Sequence, residues 1–519
     1  MRMLSRAILA GALLLSASPL CAQPSAPFEQ RLVAILNAGG TVDAMHSRLS
    51  RIGSDRSLTH DQRVAVDAVR TLLSSKSKPG GLSLAEAEAF AARNPASPAS
   101  AVLIAEAALA NDQPERSADS LIAVAAGAGP IVQLVSPATV SKLTGELDSK
   151  SDKRRTVALA KALLHAGWTR GSASLRSYLA IAAIRDELAS ERIEPARRLL
   201  RAVRSPASLH LILIDDRLAP LRDDVVAIAG PRLERAWREY LTGARDEWLQ
   251  RGDPLSAVAY AEALQQAHQY EALNSAFLVR FMRAYNCPSD LVARSIASDL
   301  AQSLTKVDRW TKAEDVMRRS GGVSRPVYAA MLLERGEFGR AAALFDRSLK
   351  AAGTPEDNEG EKGIAWLRAA GSCASFQNGS GAVLPAGNLK SLDVSARLFV
   401  LLCLDRAADA RAALLDALAD EDEREDALRW MQPFADPKVQ SEFRKDMNRR
   451  IRALQREPGV IAAVSRYGRI LDWPLTAAAP QPAELATAST PAPWQCGDQS
   501  NWDTEATGPD SIRLPDSNP

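Results

Sequence analysis

The sequence predicts an all-α fold, and three observations predict it. Apolar residues recur at three- and four-residue spacing, the period of an amphipathic helix. Ala, Leu, Arg and Glu fill these stretches, and they are good helix formers. No alternating apolar and polar run is long enough to make a convincing strand.

The elements follow in chain order. The N-terminus reads MRMLSRAILAGALLLSASPLCAQ, with Arg2 and Arg6 ahead of the apolar run Ile8–Leu15 and small residues after it. That is a secretory signal pattern over residues 1–22, with cleavage after Ala22. Cys21 raises a rival reading, a lipid-anchored N-terminus, but that processing wants a small residue just before the cysteine and Leu20 stands there. The expected location is therefore periplasmic. No later run approaches the ~18 apolar residues of a membrane helix. "FVLLCL" (Phe399–Leu404) is too short and reads as a buried helix turn.

Residues 23–230 form an Ala-rich helical region. Asp61–Leu73, Arg154–Gly167 and Ser174–Leu188 carry the helical spacing. Pro, Gly and Ser punctuate between helices at Asn94–Ser100, Arg204–Ser208, Arg251–Pro254 and Ser320–Pro326. In residues 23–230 only Phe28, Phe90, Trp168 and Tyr178 are aromatic, whereas 231–475 holds twenty aromatics, including Trp237, Trp248, Trp310, Trp366 and Trp430. The second region should pack in bulkier layers and is the place to look for a groove, since aromatics anchor interfaces. Ala229–Trp237 is the expected seam, with Pro231 at a helix start. Residues 476–519 are rich in Pro, Ala, Ser and Thr without periodicity, and read as a disordered tail. Trp494, Cys496 and Trp502 are unusual in such a tail and fit a short docking segment.

Charge excludes one large class. Lys and Arg number 64 against 62 acids, and removing Arg2 and Arg6 leaves 62 against 62. A nucleic-acid binder needs a cationic surplus. After cleavage four cysteines remain: Cys287, Cys373, Cys403 and Cys496. Cys373 with Cys403 is the leading pair because it is closest in sequence, and it would close a loop worth about 3–4 kcal/mol. The pair needs the chain from Gly371 to be loop, which "GSCASFQNGSGAVLPAGN" resembles; on antiparallel helices the two would sit several turns apart. Buried free thiols are the alternative.

One stretch carries a family resemblance. "RGEFGRAAALFDRSLKAAG" (Arg335–Gly353) places Gly336, Phe338, Ala341, Phe345 and Ser348 at helical spacing, after a helix with Tyr328, Ala329 and Leu332. It resembles the second helix of a tetratricopeptide (TPR) repeat, with Ser348 where the family prefers Ala. Weaker echoes place small contact residues at Ala196, Ala257, Ala313 and Ala410. The last gap, 69 residues, is close to two repeat units, and the others are irregular. The resemblance implies a degenerate α-solenoid of antiparallel hairpins, and a concave face that holds a segment of another protein.

Candidate chemistry is sparse. His46, His60, His165, His210 and His268 are scattered at no metal-ligand spacing. No Gly-x-Ser-x-Gly elbow, P-loop or His-Glu-x-x-His occurs, and no cofactor is called for. The acidic run Asp420–Asp426 lacks the glycine of a calcium loop and reads as a solvated helix start. Glu442–Arg456 pairs an apolar stripe, Phe443, Met447, Ile451 and Leu454, with a basic stripe, Lys445, Arg449, Arg452 and Arg456. The expectation is a non-catalytic envelope scaffold with a protein partner. The alternatives are a peripheral binder of an anionic membrane or wall surface through the basic stripe, and a helical accessory part of a peptidoglycan-processing enzyme.

Overall fold

The computed structural model describes residues 28–480, apart from 38–41, 76–80, 96, 128, 252–253, 284–290, 321–324, 353–357, 381–388 and 438. The expected signal peptide with Cys21, residue Cys287, and 481–519 with Trp494, Cys496 and Trp502 lie outside the described residues. Among the described residues there are twenty-five α-helices and two 3-10 helices, and no strand. The fold is all-α.

The chain begins with α1 (Phe28–Asn37), α2 (Val42–Gly53), α3 (His60–Ser75), α4 (Leu84–Arg93), α5 (Pro98–Ala110) and α6 (Pro114–Gly127). It continues with α7 (Pro137–Ser149), α8 (Lys153–His165), α9 (Ala173–Ala189), α10 (Ile193–Leu200), α11 (Pro206–Ile214), α12 (Arg222–Ala229) and α13 (Glu234–Arg251). Then come α14 (Pro254–Gln266), α15 (Tyr270–Arg283), α16 (Leu291–Lys306), α17 (Trp310–Arg319), α18 (Arg325–Arg335), α19 (Phe338–Ala351) and α20 (Asn358–Gln377). The last are α21 (Val394–Cys403), α22 (Ala407–Ala419), α23 (Arg424–Trp430), α24 (Glu442–Gln455) and α25 (Pro458–Val464). Every Pro- or Ser-rich break read from the sequence falls between two helices, and Pro98, Pro206 and Pro254 open theirs.

One turn recurs. The connections α5–α6, α7–α8, α9–α10, α14–α15, α16–α17, α18–α19 and α21–α22 each hold one residue at positive φ: Asp112, Ser151, Glu191, His268, Asp308, Gly336 and Asp405. In each, the next amide donates back to a carbonyl five residues earlier, for example Arg192 to Glu187 and Arg309 to Leu304 at 2.8 Å, and Glu337 to Leu332 at 2.9 Å. This is the Schellman closure, which satisfies helix-end carbonyls and starts the next helix at once. Five residues after each positive-φ position a side chain is buried at the helix crossing: Ser117, Thr156, Ala196, Leu273, Ala313, Ala341 and Ala410. Four of the five contact alanines expected from sequence sit in this register. Ala257 does not; it is buried on α14, the first helix of its hairpin. The first helices α14, α16 and α18 pack side by side, each against its own second helix α15, α17 or α19.

The other expectations meet the structure unevenly. Pro231 does not start a helix: Gly230 (φ 90°) and Leu233 (φ 63°) turn the chain, and α13 begins at Glu234. Residues 371–377 are not loop but the last turns of α20. Their small side chains serve packing, since a Cβ on Gly371 would meet the Phe345 Cβ at 3.2 Å. Cys373 and Cys403 are nevertheless bonded, with Cα atoms 5.7 Å apart. The C-terminal ends of α20 and α21 meet, and Gln377 Nε2 donates to the Cys403 carbonyl at 2.7 Å. "FVLLCL" is a buried turn of α21, as its composition indicates.

The chain also closes on itself. The acidic run, read as a solvated helix start, is an ionic joint to the first region. Lys153 pairs with Asp422, Arg397 pairs with Glu423, and Arg185 pairs with Glu425 at 2.7 Å. Beside them Asp215, fully buried, is held by Arg217 at 2.7 Å. The Asp216 amide donates to the Tyr467 carbonyl at 3.0 Å, and the Arg469 amide to Ile214 at 2.9 Å. A Cβ on Gly468 would lie 2.1 Å from the Ile214 carbonyl oxygen, so only glycine permits this approach. Trp473 packs edge-on against buried His210 at 5.6 Å, and Trp237 Nε1 donates to the Leu475 carbonyl at 2.8 Å.

Candidate binding cleft

A cleft of about 580 Å³ opens where the start of α9 faces α13 and α14, with Val33 of α1 at its edge. Its size lies within the range of small-ligand pockets, ~300–1,000 Å³.

The sequence builds the first wall from a braced loop. Gly167 takes positive φ (75°) after α8, and Trp168 is buried with its Nε1 on the Val135 carbonyl at 3.1 Å. Gln133 Nε2 donates to the Gly167 carbonyl at 2.6 Å, and Arg170 donates to the Gln133 carbonyl at 3.1 Å. Ser172 caps α9 by accepting the Leu175 amide at 3.1 Å. This brings Arg170, Arg176 and Arg204 to one side of the cleft.

The second wall is acidic, with Glu239 and Glu247 from α13 and Glu262 from α14. Tyr240 joins the walls: its hydroxyl lies 3.3 Å from Ser174 Oγ and donates to Gln266 Oε1 at 3.3 Å. Arg204 approaches Glu239 at 3.7 Å, with both side chains more than half exposed, a weak contact by ordinary surface standards. Arg176 makes no hydrogen bond or ion pair among the described residues, and its Nε is buried without a partner. Burial, with Arg204 nearby, pulls its guanidinium below the ordinary value, while Glu247 opposes the shift.

The acidic wall continues onto α16. Gln265 of α14 donates to Gln302 of α16 at 3.3 Å. One turn earlier on each helix stand Glu262 and Asp299, in the same register. Loss of surrounding water raises the Glu262 carboxyl, and burial together with Glu262 raises Asp299 to about 7.

The residues singled out in the sequence lie elsewhere. Gly336, Phe338, Ala341 and Phe345 form the α18–α19 hairpin, with Ala341 and Phe345 buried. Phe338 packs edge-on against Phe443 of α24 at 5.3 Å. The apolar stripe of α24 faces α18, α21 and α22, with Phe443, Met447 and Leu454 buried. Its basic stripe is largely engaged: Lys445 meets Glu442 at 2.7 Å, Arg449 meets Asp446, and Arg452 meets Asp436 at 2.6 Å. Arg456 is exposed at the C-terminal cap. Among the histidines, His46 lies 3.2 Å from Ser74 Oγ, His268 stacks on Tyr270, and His210 is buried. Among the described residues no three His, Cys, Asp or Glu side chains group as a metal site. None of their helices is long and apolar enough to cross a membrane.

Sequence reading did not find the cleft. Its charges come from five separate segments, and each residue alone looks like an ordinary polar position on a helix. Compared with protein-family models, with curated proteins and with solved structures, the chain matches none.

Proposed function

We propose that this chain is an exported, non-catalytic helical-repeat scaffold of TPR-like α-solenoid type, which holds a segment of another cell-envelope protein. The observation that carries the reading is the cleft between α9, α13 and α14, whose walls present charged side chains with no partner in the chain. Hairpins joined by short-range contacts generate such concave walls. The buried Cys373–Cys403 bond is compatible with an oxidising compartment, in keeping with a signal peptide cleaved after Ala22.

The test is photo-crosslinking in the native envelope. A photoreactive side chain is placed at Gly243 or Ala259 in the cleft, or at exposed Val279 on α15, and the products are read by mass spectrometry. One stoichiometric protein attached at the cleft positions and absent at Val279 is expected. Recovery of only lipid or wall fragments, lost in high salt, would overturn the reading in favour of a peripheral surface binder. That alternative is weakened by the carboxylates engaging Lys445, Arg449 and Arg452.

A second reading, a helical part of a peptidoglycan-processing enzyme, draws on Asp299. A carboxyl near 7 is suited to general acid chemistry. Release of soluble fragments from purified wall, abolished by Asp299→Asn, would establish it in place of the scaffold.

A further inference from the structure

Two kinds of charge meet in the cleft without meeting each other. Arg176 stands on the α9 side with no ion pair among the described residues. Glu262 and Asp299 stand on the α14–α16 side, also without a hydrogen bond or salt bridge there. Arg204 adds a second cation beside Arg176, engaged only at 3.7 Å by an exposed carboxylate. A charge withdrawn from water and left unpaired is costly. Here the opposite charges sit on opposite walls, where a ligand between them can satisfy both.

The lining also indicates what lies between. Gln265 and Gln302 spend one donor and one acceptor on each other and keep further amide groups to offer. Side-chain amides of this kind match the alternating N–H and C=O groups of a peptide main chain. The volume, about 580 Å³, admits a short stretch of chain and not a folded domain.

We propose that the cleft recognises a polypeptide segment with two charges of opposite sign, an acidic side chain against Arg176 and Arg204 and a basic side chain against Glu262 and Asp299. This rests on the scaffold reading and names the chemistry of the segment held. The arrangement fixes the direction of the bound chain, because reversing the segment sets like charge against like on both walls.

The experiment selects a random short-peptide display library on the full chain and on two variants, Arg176→Gln and Glu262→Gln with Asp299→Asn. Thermal unfolding checks that the variants fold as the parent does. The parent should enrich peptides carrying both an acid and a base in a preferred order. Arg176→Gln should lose the acid and keep the base, and the carboxyl variant should do the reverse. The best parental peptide should bind each variant about tenfold more weakly. An enriched pool with the charge composition of the input, or the same pool from all three proteins, would overturn the proposal. So would enrichment for one sign of charge only. If a cleft-crosslinked envelope protein is found and both variants capture it as well as the parent, the scaffold reading stands and the charge-reading cleft falls.

Discussion

The turn at Gly336 and the joint at Gly468 each need a glycine, for unrelated reasons. At Gly336 the backbone itself is unusual, with φ at 91° between α18 and α19. The contacts that need it are local: one amide reaches back five residues, and Ala341 packs five residues ahead. At Gly468 the space is unusual, because the Ile214 carbonyl occupies the place of a side chain. Its partners lie more than two hundred residues away, at Ile214, Asp216 and His210. The first solution recurs at seven described turns, and six of them do without glycine. The second occurs at the single isolated bridge of the described residues. Local closure is a grammar that tolerates substitution, and long-range closure is one particular fit.

The comparison can be sharpened by experiment. The largest effect is expected away from both glycines, at the bond that ties α20 to α21. Replacing Cys373 and Cys403 together by Ala should cost about 3–4 kcal/mol, read by urea unfolding with and without reductant. If the oxidised and reduced parent unfold alike, the bond carries no stability.

Next comes His210, which belongs to the long-range joint. Burial, with Arg429 as a lesser cause, holds it at about 4, against an ordinary 6.5. The folded state thus keeps it neutral, while the unfolded chain takes up a proton as pH falls below 6.5. Stability should fall between about pH 6.5 and 4, by about 3 kcal/mol from this residue. His210→Leu should flatten that part of the curve, and an unchanged slope would assign the acid sensitivity to other groups.

The smallest effects test the two glycines directly. Gly468→Ala should cost about 2 kcal/mol through overpacking against Ile214, and Gly336→Ala about 1 kcal/mol through its left-handed backbone. Amide exchange separates them. The first should expose the amides of Asp216 and Arg469 and leave the hairpin at Glu337 protected. The second should do the opposite. Loss of protection at both places in either variant would mean that turn and joint unfold as one unit.

The same contrast explains what the sequence discloses. Helices and their breaks are legible because periodicity and Pro placement act within a few residues. Ala196, Ala313, Ala341 and Ala410 are legible because the turn fixes a crossing point five residues on. Residues 371–377 mislead, since Gly, Ser and Cys in succession mark a loop in one setting and a close helix crossing in another. Only Phe345, on the neighbouring helix, decides between them. The joint and the cleft are illegible for a further reason. Arg185 and Glu425, or Arg176 and Glu262, meet through the path of the whole chain, and no local pattern records that path.

The joint at Gly468 has a consequence for how such a molecule can change over generations. An open stack of hairpins grows or shrinks by duplication or loss of a unit, because each unit touches only its neighbours. Here an extra hairpin anywhere between Ile214 and Tyr467 would carry Gly468 away from its seat. The number of hairpins in that span is thereby locked, and selectivity is free to drift only through the side chains that line the walls.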